Sequence, residues 1–160
     1  MRIDWFAVLC CIVTAAPAAG AAVTVEFVAP GSYSDANLHS RFRGAPTRSV
    51  LFELESHLAH LGRLYLAPNE SLKIQILDID LAGEIERLPG TMQDQRVLRG
   101  GTWPRITLRY VLERDGKVQR DAHEVVISSS YFGFGAPGAV GDLWHEKRML
   151  GDWFRRRFAH

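Results

Sequence analysis

The chain has 160 residues, of which 47% are hydrophobic and 23% are charged, and its formal net charge at pH 7 is +1. A charge this close to zero argues against a nucleic-acid-binding protein, which needs a basic surface, and against a protein with strongly acidic partners. Both cysteines, Cys10 and Cys11, lie near the start of the chain, so the remainder has no disulfide to form.

The first 22 residues have the pattern of a secretory signal. Arg2 precedes an apolar run at residues 5–13, and small residues with several alanine cleavage points follow up to Ala22. The apolar run is too short to span a membrane stably. We therefore predict a signal peptide at residues 1–22, one domain at residues 23–160, a periplasmic location, and no integral membrane segment after cleavage.

A first strand is predicted at residues 23–28, where Val23, Val25 and Phe27 alternate with polar residues. Residues 33–47 are rich in Ser, Asn, Gly, Pro and Arg, which is typical of a loop. A loop this long is either functional or a cover for a sheet edge. The sequence leaves both interpretations open.

An amphipathic helix is predicted at residues 48–65, because leucines recur there at intervals of three and four residues. His57 and His60 lie one turn apart and could in principle share a metal ion. On the helix, however, His57 borders the apolar stripe while His60 lies nearly opposite it, so only a surface site would be possible. We predict no metal site and no cofactor.

Residues 72–83 form the most strand-like run in the chain and contain a contradiction. Alternation places Asp78 and Asp80 on the same face as the apolar residues that precede them. Either a bulge near Ile76 and Leu77 reverses which side chains face the core, or both faces of the strand are partly buried. Residues 84–99 are polar, and their pattern predicts neither a strand nor a helix.

A β-hairpin is predicted at residues 106–127, with a turn at Asp115-Gly116. The turn sets the register of the two strands. A two-residue loop would place Leu108 opposite His123, whereas a three-residue loop places it opposite Ala122. We prefer the three-residue loop, which predicts a positive φ at Gly116 and a His123 side chain that points away from the Leu108 face.

Residues 128–141 are rich in glycine and contain three aromatic residues, Tyr131, Phe132 and Phe134. These rings could form an adaptable binding lip or close an open end of the core. We favour the second interpretation.

The last predicted element is a helix at residues 142–158 with Asp142 as its N-cap. Its apolar side, flanked by Trp153, comprises Leu143, Leu150, Phe154 and Phe158. The three arginines at residues 155–157 fit the favourable interaction of cations with a helix C-terminus, so they do not require an anionic surface as partner.

These elements predict an α+β domain in the order β-α-β-β-β-α. Two amphipathic helices would cover one face of a mixed, mainly antiparallel sheet of about four strands. If the first strand and the 72–83 strand are neighbours, they run parallel, because a helix connects them.

Three segments resemble the family named domain of unknown function 3016. They are residues 78–83 (DIDLAG), residues 103–110 (WPRITLRY) and residues 146–154 (EKRMLGDWF). The resemblance covers essentially all of the chain after the predicted signal. It implies a small exported proteobacterial protein in a periplasmic setting, and it implies no activity and no catalytic residues.

No catalytic constellation emerges from the sequence. The candidate ligand or partner contacts are Asp78, Asp80, Trp103, Tyr131, Phe132 and Phe134. The structural alternative is that the two aspartates accept backbone hydrogen bonds or pair with Arg105 or Arg109 across the sheet.

The sequence favours a non-enzymatic binding or accessory module of the cell envelope. Its partner would be an envelope protein or a small ligand, and not a nucleic acid. The alternative is a metal-assisted hydrolase that uses the carboxylates of Asp78 and Asp80.

Overall fold

A computed structural model describes residues 21–38, 46–87, 94–97, 101–128 and 143–159. The elements of these segments are β1 (Ala22–Phe27), a short 3-10 helix (Pro30–Ser32), α1 (Arg48–Tyr65), β2 (Glu70–Asp80), β3 (Glu84–Arg87), β4 (Asp94–Val97), β5 (Arg105–Arg114), β6 (Lys117–Ile127) and α2 (Trp144–Phe158). The signal prediction for residues 1–20 and the aromatic residues Tyr131, Phe132 and Phe134 fall outside the described residues.

The main sheet has the strand order β1-β2-β5-β6. β1 and β2 are parallel, as a connecting helix requires, and the other neighbouring strands are antiparallel. α1 packs on β1 and on α2, while α2 also contacts β6. The predicted α+β architecture is confirmed.

The core lies between this sheet and the two helices. The predicted apolar stripes of both helices are buried against alternate residues of β2 and β5. The helical residues are Leu54, Leu58, Leu61, Leu150, Phe154 and Phe158, and the strand residues are Leu72, Ile74, Ile76, Ile106, Leu108 and Tyr110. Tyr110 also contacts Trp153 and Phe158 edge to face, with ring centroids 5.7 and 5.4 Å apart.

The start of α2 differs slightly from the prediction. The helix begins at Trp144, and Leu143 occupies the N-cap position with its side chain buried in the core. Asp142, the predicted N-cap, lies outside the described residues. Leu143 thus contributes to packing at the helix start and forms no side-chain cap hydrogen bond there.

The predicted register of the β5-β6 hairpin is wrong. The turn has two residues, Asp115 and Gly116, with φ values of 50° and 72°, and Leu108 lies opposite Glu124 instead of Ala122. Positive φ at both central residues is the type I′ geometry that suits the twist of a tight hairpin. The positive φ at Gly116 is confirmed.

A bulge in β6 accounts for the rest of the register. Glu113 pairs with Val118 while Leu112 pairs with Arg120, so Gln119 is an extra residue in β6. His123 lies opposite Arg109 and is exposed. It therefore points away from the Leu108 face, as predicted. The pairing of Leu108 with Ala122, from which this prediction was made, is not the observed one.

The polar segment at residues 84–99 contains a small hairpin that the sequence did not predict. β3 and β4 pair antiparallel in a separate two-stranded sheet. Their sequences, EIER and DQRV, have no apolar alternation long enough to indicate a strand. This hairpin delivers Arg96 to the end of the main sheet.

Gly62 sets the approach of α1 to β1. A Cβ atom at this position would collide with the side chain of Val23, whereas a Cβ atom at Gly151 of α2 would meet nothing within 4 Å. Gly62→Ala should lower the free energy of unfolding by about 1–3 kcal/mol because it overpacks the interface. Gly151→Ala, the matched helical control, should raise it by up to ~1 kcal/mol.

Urea unfolding monitored by circular dichroism measures both values. Equal effects of the two substitutions would contradict a close packing of α1 on β1.

Candidate functional site

The end of β2 carries the two aspartates that the sequence singled out. The register of β2 on β5 shifts between Ile76 and Asp78, so Leu77 is the extra residue of a β-bulge. Before the bulge the even-numbered side chains are buried, and after it Ile79 and Leu81 are buried instead. Of the two alternatives that the sequence left open, the structure has the bulge, which places Asp78 and Asp80 on the face away from the helices.

Asp78 is tied to the segment that follows β1. The Ser34 N–H donates to Oδ1 of Asp78 at 2.7 Å, and the Ser34 hydroxyl donates to Oδ2 at 2.8 Å. Nearby, the hydroxyl of buried Tyr33 donates to the Ile76 carbonyl oxygen at 3.0 Å. Burial, assisted by the charge of Asp78, raises the pKa of Tyr33 to about 12, so Tyr33 remains a neutral donor at physiological pH.

Asp35 continues the sheet beyond the end of β1. Its N–H donates to the Ile79 carbonyl oxygen and its carbonyl oxygen accepts from the Leu81 N–H, both at 2.9 Å. These two bonds form a parallel bridge with Asp80. The side chain of Asp35 therefore lies beside Asp80 at the sheet end.

Arg96 of β4 neutralises and organises this corner. Its Nη2 donates to both carboxylate oxygens of Asp35 at 3.0 Å and to the Asn37 carbonyl oxygen at 2.7 Å. Its Nη1 donates to the carbonyl oxygens of Ala82 and Gly83 at 3.2 and 2.8 Å. The side chain is only 8% exposed. Its guanidinium therefore joins the segment after β1 to the segment after β2, and it satisfies backbone oxygens there that have no partner in a strand.

Gly83 is required by the geometry of this turn. Its φ is +80°, and a Cβ atom there would lie 2.7 Å from the Val97 carbonyl oxygen. The preceding N–H, that of Ala82, donates to Oε1 of Glu146 at 2.7 Å, and Glu146 is 3% exposed. A buried carboxylate of α2 thus fixes the chain directly after β2.

Asp80 differs from the other two carboxylates at the sheet end. Burial raises its pKa, the neighbouring charge of Asp35 adds to the rise, and Arg105 opposes it. Arg105 lies opposite Asp80 on β5. Within the described segments the Asp80 carboxylate interacts with these charges and accepts no hydrogen bond, which makes it the chemically available acid of this corner.

The other predicted site residues are distributed as follows. Arg109 lies further along β5, opposite Gln75, and donates two hydrogen bonds to Asp121, at 3.0 and 2.7 Å. Trp103 is half-buried just before β5. The described residues contain no group of three or more His, Cys, Asp or Glu side chains placed to hold a metal ion.

A second feature, which the sequence did not reveal, is an open groove between α1 and α2 with a volume of about 430 Å³. Its described lining consists of His57, Tyr65, Trp144, Lys147, Arg148, Gly151, Asp152 and Arg155. We call this the interhelical groove. Helical periodicity places the α2 members on one side of that helix, but only the packing angle of the two helices brings them beside Tyr65 and His57.

Internal contacts hold the walls of the interhelical groove. His57 Nε2 donates to the Lys147 carbonyl oxygen at 2.8 Å, and the Lys147 ammonium contacts Glu53 at 2.8 Å. Burial lowers the pKa of His57, and the nearby Lys147 charge contributes to the decrease. The Arg148 guanidinium lies 5.3 Å from the centroid of the Trp144 ring, within the range of a cation–π contact.

Comparison with family models identifies residues 21–156 as a match to the family described as Protein of unknown function (DUF3016). The chain belongs to this family. Comparisons with curated proteins and with solved structures found no match. The three family-like segments noted in the sequence meet at the sheet end, because Asp80 lies opposite Arg105 and Glu146 binds the Ala82 N–H.

No helix in the described segments is both long and apolar enough to cross a membrane.

Opposite stability effects should distinguish the two aspartates of β2. Asp78→Ala should lower the free energy of unfolding by about 1–3 kcal/mol, because the Ser34 N–H loses its acceptor. Asp80→Asn should raise the melting temperature at pH 7, because the raised pKa means that the ionised form destabilises the fold.

The pH dependence gives the control for this prediction. Ionisation of Asp80 lowers the free energy of unfolding. This loss is absent below the ordinary pKa of 3.8 and is complete above the raised pKa of the folded state. The melting temperatures of wild type and Asp80→Asn should therefore converge as the pH falls toward 4, as measured by calorimetry. A difference that is constant with pH would contradict the proposed origin.

Proposed function

We propose that this protein is an exported, non-enzymatic binding module of the bacterial cell envelope, and that it binds a small anionic ligand in the interhelical groove. The observation that carries the proposal is the groove itself, where aromatic and cationic side chains lie side by side in an open concavity. Concave sites with a few convergent polar groups are the usual form of a ligand site.

The charges of the groove favour an anion. Its described lining contains three cations, Lys147, Arg148 and Arg155, and one carboxylate, Asp152. Asp152 already accepts a bond from Arg155 at 2.8 Å, and Glu53 outside the lining pairs with Lys147. The described lining thus contains more cationic than anionic side chains, which favours a ligand with a carboxylate or phosphate group.

The aromatic walls favour a ligand with a flat or apolar portion. Trp144 and Tyr65 are both half-buried at the groove surface, so each ring retains accessible area. His57 is neutral at pH 7 because its pKa is lowered, and it keeps a fixed orientation through its bond to Lys147. The groove therefore combines stacking surfaces, cations and an oriented imidazole.

The metal-assisted hydrolase is the less well supported alternative. Asp78 is occupied by Ser34 and Asp35 by Arg96, so these two carboxylates already serve the fold. Of the three described carboxylates Asp35, Asp78 and Asp80, the last remains available, and a single carboxylate beside an arginine is a weak basis for hydrolysis. Loss of a hydrolytic activity in Asp80→Asn, with binding in the groove unchanged, would support the alternative.

Export is inferred from the signal-like sequence of residues 1–22. The full chain should appear in the periplasmic fraction of a bacterial host in a shortened form, as checked by fractionation and by the mass of the purified product. Deletion of residues 2–22 should retain the protein in the cytoplasm. An unprocessed full chain in the cytoplasmic fraction would contradict export.

Binding in the groove can be tested with 1-naphthyl phosphate and 1-naphthoate, with 1-naphthol as the neutral control. Calorimetry should detect saturable binding of one or both anions and much weaker binding of the alcohol. Arg148→Ala should weaken anion binding about tenfold or more, since a charge-assisted hydrogen bond contributes ~1.5–3 kcal/mol.

The matched control is Arg156→Ala, because Arg156 is an exposed arginine of α2 outside the groove lining. It should leave both affinities unchanged. Comparison of the two anions distinguishes a phosphate ligand from a carboxylate ligand. Equal binding of all three probes, or equal effects of the two arginine substitutions, would overturn the anion site.

A further inference from the structure

The outer edge of β6 is available for pairing in the described structure. β6 is the last strand of the sheet and pairs only with β5 among the described strands. It is 11 residues long. A long edge strand presents a row of backbone donors and acceptors that another strand can use.

β6 also has an unusual share of exposed apolar side chains. Val118, Val125 and Ile127 are 61%, 51% and 43% exposed. All three lie on the face away from the helices, since their partners on β5 face that side. Without the extra residue Gln119, the alternation of residues 121–127 would place Val118 on the opposite face, toward the helices.

At equal distances on either side of Ala122, β6 carries one acidic and one basic side chain. Arg120 and Asp121 precede it, and His123 and Glu124 follow it. If two copies of β6 pair antiparallel about Ala122, Arg120 lies opposite Glu124 of the second copy and Asp121 lies opposite its His123. Each pair occurs twice because the arrangement is symmetric.

Neighbouring registers lack this complementarity. The nearest registers that keep the helices of both copies on one face are shifted by two residues, and they place Asp121 opposite Asp121 or His123 opposite His123. Like charges directly opposite each other destabilise a strand pair. The charge pattern thus selects the register centred on Ala122.

We propose that two copies of this chain associate through antiparallel pairing of their β6 strands, centred on Ala122, to form a continuous eight-stranded sheet. The partner is a second copy because two identical β6 strands, paired about Ala122, place each acidic side chain opposite a basic one. The pairing also places the exposed valines of the two copies in one continuous outer surface, away from the helices. This proposal is independent of the ligand in the interhelical groove.

Sedimentation equilibrium over a concentration series tests the association. The wild-type chain should show a monomer–dimer equilibrium. His123→Asp and Asp121→Lys should each weaken the dimer about tenfold. His123→Asp places a second carboxylate opposite Asp121 at both pairs, and Asp121→Lys removes the acid opposite His123 at both pairs. Both residues are exposed, but Asp121→Lys also removes the two hydrogen bonds from Arg109. The melting temperature of each variant therefore checks the monomer fold, and His123→Asp, which keeps these bonds, carries the test if Asp121→Lys unfolds.

A mixture of the two variants provides the rescue. In a mixed dimer, Asp121 of one chain faces His123 of the other, and the two substituted residues face each other with opposite charges. The mixture should therefore recover near wild-type association. A wild type that stays monomeric, or a mixture no tighter than the separate variants, would overturn the proposal.

The register can be tested by cross-linking. In a Cys10→Ser, Cys11→Ser background, Ala122→Cys should form an intermolecular disulfide under mild oxidation, because directly opposed residues of antiparallel strands have Cα atoms ~4.5–5.5 Å apart. Val125→Cys, the control on the same strand, lies opposite Gln119 and should cross-link much more slowly. Faster cross-linking at residue 125 would rule out this register.

Discussion

The bulge at Leu77 is the constraint on which the sheet end depends. Without an extra residue in β2, strand alternation would direct Asp78 and Asp80 beneath the helices, where an unpaired carboxylate costs several kcal/mol. With it, Ile79 and Leu81 fill the core, and they are 0% and 2% exposed. The aspartates then face the side on which Ser34, Asp35 and Arg105 approach. One inserted residue therefore separates the apolar half of β2 from its polar end.

Three buried or half-buried acids in this protein accept hydrogen bonds from backbone N–H groups that have no partner in a strand. Asp78 accepts from Ser34, Glu146 from Ala82, and Glu70 from Ala67 at 2.9 Å. An unpaired buried N–H costs about as much as a lost hydrogen bond, so each acid has a structural reason for its position. For Asp78, one of the two acids that the hydrolase interpretation invoked, this structural role is sufficient.

Much of the fold followed from apolar periodicity. The bounds of α1 followed from its leucine stripe, and those of β6 followed from the turn at Asp115-Gly116. The parallel orientation of β1 and β2 followed from the helix that connects them. The β5-β6 register was wrong for two reasons: the turn has two residues instead of three, and the bulge at Gln119 leaves no local sequence signal. The β3-β4 hairpin was missed because its stability depends on contacts such as those of Arg96, which joins segments distant in sequence. The interhelical groove was missed for the same reason, since helix packing alone creates it.

α2 connects the two proposed interaction surfaces and also keeps them separate. Trp144, Arg148 and Arg155 face the groove, whereas Trp153 and Arg157 lie on another side of the helix and donate to Glu124 of β6 at 2.9 and 3.1 Å. Burial alone would raise the pKa of Glu124, but these hydrogen bonds outweigh it and lower the pKa. Glu124 therefore stays ionised at neutral pH and holds β6 on α2. Because ligand contacts and edge contacts use different sides of one rigid helix, each subunit of a β6-paired dimer can bind its own ligand.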